Sequence, residues 1–193
     1  MSAQSQRIAA VLASKDNADI PGWLARLGAS LAGEPTLDRE TISDLVSRGR
    51  PRWGVRSSDD AAAYIAFWAD LMRRYPDPRI AAAYSDVLHL LGGHERACEA
   101  LRVFLDAVRR DPSVFIEYSG DFSELPAQCG PAAEIDFELA TIAYYAHRVD
   151  EGAMDLETLQ DAVHELLARH GGDPAVRTRL FEIARKASDA ITR

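Results

Sequence analysis

The sequence predicts an all-α protein, with eight or nine helices stacked as irregular antiparallel hairpins in a single domain, 1–193. Three observations carry this. The composition is rich in Ala, Leu, Arg and acidic residues, a mixture that favours helix. Apolar residues recur at three- and four-residue intervals between recognisable caps and Pro/Gly breaks. No alternating stretch of useful strand length occurs anywhere.

The elements follow in order. Gln6–Ser14 is weakly periodic, and Pro21–Ala32 follows Asp19 with a proline suited to a first helical turn. Thr36–Arg48 places Leu37, Ile42, Leu45 and Val46 near one stripe. Ser58–Tyr75 opens with SSDD, a capping sequence, and spaces Ile65, Trp68, Leu71 and Met72 for one helix face. Asp77–Leu91 starts with Asp-Pro and stops at Gly-Gly, while His94–Arg110 gathers Ala97, Leu101, Phe104, Leu105 and Val108 on one side. Breakers (DPSVF, YSG, LP, CGP) crowd the acidic stretch Pro112–Gly130 and its borders, allowing only a short helical turn near Val114–Tyr118. Helix then resumes in Pro131–His147 (Ile135, Leu139, Ile142, Ala146), Asp155–Arg169 (Leu159, Val163, Leu166, Leu167) and Pro174–Ile191 (Leu180, Ile183, Ala184, Ala187). The chain thus reads as N-terminal helices (1–48), an arginine-rich loop (49–57), a central helical group (58–112), an acidic irregular segment (113–130) and C-terminal helices (131–193).

Asp77-Pro78 recurs 34 residues later as Asp111-Pro112, with helix, tight turn and helix between. With Pro112 as the terminal proline, Tyr84 and Leu91 fall at aromatic positions, and Ala100, Phe104 and Ala107 at the small, aromatic and small positions of a tetratricopeptide repeat. Residues 77–112 resemble that family, with Leu88 at a usually small position and the Gly-Gly turn about two residues early. The resemblance implies a TPR-like, α-solenoid-like domain that holds a protein or peptide partner in a helical groove.

The net charge of −8 argues against general nucleic-acid binding, which needs a basic field. The longest apolar run, Ala61–Ala69, is far too short to span a bilayer, and the N-terminus lacks a signal peptide's apolar core. Cys98 and Cys129 match no zinc or redox spacing, so free thiols and a cytoplasmic location are expected. Charge is segregated: RGRPRWGVR (48–56) carries four arginines and no acid, whereas Asp111–His147 carries seven acids and no Lys or Arg.

Arg48, Arg50, Arg52, Trp53 and Arg56 are the candidate partner-binding residues: guanidiniums beside an indole can grip carboxylates, and Trp and Arg are enriched at binding hot spots. The alternative is a solvated loop whose Trp53 plugs the neighbouring core. Replacing Arg50, Arg52 and Arg56 by Glu is expected to abolish partner capture and leave helix content unchanged. The acidic block offers an intramolecular partner for the loop, a homodimer surface or a docking face for a basic protein.

HLLGGHERAC (89–98) sets His94 and Cys98 on one helical face, but the simpler reading is a turn between helices. Two Asp-x-x-His pairs, Asp86/His89 and Asp161/His164, are the metal candidates, since carboxylate and imidazole three apart share a face. Neither GxSxG, a phosphate-cradling loop nor HExxH occurs, so no catalytic residue or cofactor is assigned. The expected function is a protein-interaction or adaptor module. The alternatives are a metal- or cofactor-binding helical-bundle enzyme using the Asp/His pairs, and an acidic inhibitor of the immunity or antitoxin type.

Overall fold

The computed structural model describes residues 3–16, 18–51, 55, 57–115 and 122–191, with side chains over 5–185 within those ranges. Ten α-helices and two short 3-10 turns make up the described chain, and no strand occurs among these residues. None of the helices is long and apolar enough to cross a membrane. By its contacts the chain divides into two compact units, Met1–Val103 and Phe104–Arg193. The divide falls inside one helix, α6 (Ala97–Arg110).

The first unit holds α1 (Ala3–Ala13), α2 (Ile20–Leu31), α3 (Arg39–Arg48), α4 (Ser58–Arg74) and α5 (Pro78–Leu91). Side chains of Asp19, Asp38, Ser57 and Asp77 each accept a hydrogen bond from a backbone N–H in the first turn of the helix they precede. The starts therefore follow from local chemistry, and the packing follows from the apolar stripes. α2 packs on α1 and α4, α4 on α5, and α3 on α1 and α5, around fully buried Trp23, Leu27, Leu45, Tyr64, Trp68 and Ile80. Two of the buried polar groups are paired: Trp23 Nε1 donates to the Val11 carbonyl at 2.9 Å, and the Tyr75 hydroxyl donates to the Leu31 carbonyl at 3.1 Å, whereas the buried Trp68 Nε1 has no hydrogen-bond partner among the described residues. In α5, Ile80 to Leu88 are buried without a break, so this helix is enclosed on every side.

α5 ends through Gly92, where a Cβ would stand 2.5 Å from the Leu88 carbonyl oxygen, and Gly93, whose φ of 67° favours glycine. A single 3-10 turn, His94–Arg96, leads into α6. The stretch HLLGGHERAC is thus a connection between helices, with His94 at its exposed surface. Of the residues aligned with the repeat pattern, Tyr84, Leu88, Ala100, Phe104 and Ala107 are all buried.

The two Asp-Pro steps cap alike and open different first turns. Asp77 accepts from Arg79 N at 2.8 Å and opens fourteen residues of α-helix, whereas Asp111 accepts from Ser113 N at 3.0 Å and opens with the 3-10 turn Pro112–Val114.

The second unit continues from that turn with α7 (Leu125–Cys129), α8 (Pro131–Asp150), α9 (Leu156–His170) and α10 (Pro174–Ile191). α7 lies where the sequence reading placed irregular chain: Pro126 occupies the first turn, where its missing N–H costs nothing, and so permits the helix it was taken to break. α8 is the hub, packing on α7, α9, α10 and the 3-10 turn. Leu139, Ile142, Leu166 and Val176 form its buried core. Phe104 stacks on Phe122 with ring centroids 4.6 Å apart, and Phe115 lies against Phe137 and Tyr144. Leu167, read as core-facing, is exposed because Leu159, Val163 and Leu166 already fill the apolar stripe of α9 and residue 167 sits roughly 100° round from 166.

Cys98 and Cys129 are both disulfide-bonded, which corrects the expectation of free thiols and removes its support for a reducing location.

Candidate functional site

The sequence-derived candidates fall into different settings. Arg48 is exposed in the last turn of α3, where a cation suits the helix dipole. Arg50 turns inward: its Nη1 donates to Asp86 Oδ2 at 2.9 Å and its Nε to the Val46 carbonyl at 2.7 Å. Arg52, Trp53 and Arg56 lie outside the described residues. Asp86 is 5% exposed and engaged by Arg50, His89 is half-buried, and Asp161 and His164 are exposed on α9. Among the described residues no three His, Cys, Asp or Glu side chains group to hold a metal ion.

The second unit contains a crevice of about 410 Å³ walled by α6, α8 and α10. Its shape originates in α8, whose residues Asp136, Ala140, Ala143, His147 and Asp150 follow a spacing of four, three, four and three and so line up along one face. The stripe covers about 21 Å at 1.5 Å per residue. Its two central positions are alanines, and their small side chains leave a trough between the larger groups at either end. Leu105 and Val108 from α6 and Ile183 from α10 complete an apolar floor. Leu105, Val108, Leu139, Ala140 and Ala146, which line it, are each under 10% exposed.

One end of the crevice is closed by charge. Arg109 from α6 and Arg179 from α10 converge on the same carboxylate, Asp136 of α8, with Arg109 Nη2 at 3.3 Å from Oδ2 and Arg179 Nη1 on Oδ1. Arg109 also meets Asp106 one turn earlier at 2.5 Å. Arg110, Asp150 and Glu182 complete a rim of both signs. His147 stands 3.4 Å from Glu151 near the C-terminal end of α8. Two acids of the acidic block, Asp136 and Glu138, are thus met by arginines of their own unit, for Glu138 binds Arg169 at 2.6 Å.

Such an arrangement can bind: it offers an apolar slot for one row of side chains and fixed charges to orient what enters. The sequence reading missed it by following only the core stripe of α8 (Ile135, Leu139, Ile142, Ala146). The usable signal was the second stripe, with small residues at its centre and charged ones at its ends.

No protein family, no curated protein and no solved structure matches this chain.

Proposed function

We propose that this chain is a protein-binding module whose second unit receives an apolar anchor side chain of a peptide partner in the crevice between α6, α8 and α10. The observation that carries the reading is the crevice itself: an apolar floor opened by Ala140 and Ala143 and a charged rim running about 21 Å along α8. Its volume of about 410 Å³ is within the ordinary range of ligand sites. An elongated slot with charges near both ends suits a short stretch of chain better than a compact metabolite. A buried anchor ringed by polar contacts is how most interfaces concentrate their affinity. The likeness of residues 77–112 to a peptide-holding repeat supports the same class of function.

A random-peptide display library panned on the purified protein tests this. Peptides enriched on the wild type are expected to lose binding to A143W, and in part to A143L, because either side chain fills the trough; Ala143 is half-exposed, so helical circular dichroism should be retained. No enrichment, or enriched peptides indifferent to both variants, would remove the crevice from the function.

A further inference from the structure

We infer, resting on that reading, that the peptide partner carries an acidic residue beside its apolar anchor, and that Asp136 is the internal stand-in for that acid. Three helices each contribute one group to the closed end of the crevice: Arg109 from α6, Asp136 from α8 and Arg179 from α10. The count of donors and acceptors is unequal. Two guanidiniums offer about ten N–H donors, while one carboxylate has about four acceptor positions, and adding Asp106 brings the total to only about eight. An occupant with a further carboxylate therefore finds donors to meet.

Displacement of Asp136 leads to the same choice. A neutral group taking its place would leave Arg179 without its carboxylate and Arg109 with Asp106 alone, and a basic group would add a third positive charge, whereas a carboxylate would leave both guanidiniums paired. Asp136, Arg109 and Arg179 are all partly open to solvent, so the exchange requires no core rearrangement. The apolar floor begins beside this cluster, since Leu139 and Ala140 lie three and four residues along α8 from Asp136. Acid and anchor in the partner are accordingly adjacent or nearly so.

The test uses the enriched peptides as synthetic probes, each with a partner in which Asp or Glu is replaced by its amide. On the wild type the amide form is expected to bind about ten-fold more weakly, as for loss of one charge-assisted hydrogen bond. On the double variant R109Q/R179Q the two forms should bind within about two-fold. The D136N variant, which removes the internal competitor, should bind the acidic form several-fold more tightly than the wild type. Salt should weaken the acidic form and spare the amide. Enriched peptides without an acid beside the anchor, or an amide penalty unchanged on R109Q/R179Q, would overturn the acidic-partner inference alone. Binding indifferent to A143W would overturn the crevice reading, and this inference with it.

Discussion

Arg50 Nη1 lies 2.9 Å from Asp86 Oδ2, so a guanidinium read from the sequence as a partner-binding group holds a carboxylate read as a metal ligand. The contact joins the chain just past α3 to the buried face of α5. Asp86 is 5% exposed, and removing its cationic partner leaves charge in a poorly solvated place. R50A is expected to lower stability by about 2–4 kcal/mol, read from the urea midpoint. The double variant R50A/D86A should lose less than the sum of the two single changes. R50E should cost more than R50A, because it sets two carboxylates together. The charge-reversal experiment drawn from the sequence therefore tests folding as well as binding at position 50.

Leu166 and Leu167 are adjacent and apolar, yet only one reaches the core of the second unit. Leu166 is fully buried with Leu139, Ile142 and Val176. L166A should cost about 2–5 kcal/mol through lost burial and the cavity left behind. L167A should remain within about 0.5 kcal/mol of the wild type, since Leu167 is exposed. Equal losses from the two substitutions would place the apolar stripe of α9 elsewhere.

Alkaline pH should destabilise the first unit through Tyr64. Burial, with a smaller contribution from the charge of Asp60, pushes its hydroxyl up from 10.0 to about 12. The folded state therefore holds this proton longer than the unfolded state does. Its contribution, about 2–3 kcal/mol, is fully present below pH 10 and is lost as pH rises through the interval up to 12. A urea midpoint followed across that interval should fall less steeply in Y64F than in the wild type.

The acid limb has a different origin. Burial raises the Asp77 carboxyl, but hydrogen bonds from the Arg79 side chain and backbone outweigh it and hold the group below its ordinary value. The resulting stability is present above the usual carboxylate range and is lost as pH falls below about 4. D77N should flatten this part of the pH–stability curve, and an unchanged slope would assign the acid limb to other carboxylates.

Thiol titration checks the cysteines. No reactive thiol is expected in the unreduced protein even after denaturation, and two should appear once it is reduced. A thiol count of two before reduction would contradict the structure.

Features governed by neighbours along the chain were legible in the sequence. Caps at Asp19, Ser57 and Asp77, the stop at Gly92-Gly93 and the buried stripe of α6 depend on residues a few positions apart. The same local chemistry explains where reading went astray. A proline at position 126 looks alike whether it ends a helix or begins one, and the Asp-Pro at 111 caps as well as that at 77 while opening with a 3-10 turn where the other opens an α-helix. Local pattern also fixed a charge segregation but not its consequence, for Arg50 finds Asp86 and Asp136 finds Arg109 and Arg179 across 36, 27 and 43 residues of chain.

By itself, then, the sequence determined that this protein is helical, roughly where its helices start and stop, and which face of most of them is apolar. Those properties arise from backbone hydrogen bonding and side-chain spacing within a turn or two. Only the tertiary structure decided which charges are spent internally and where space is left between helices. A crevice belongs to three helices at once: the alanines at 140 and 143 become a trough, and the acid at 136 a clasp, only when α6 and α10 stand beside α8.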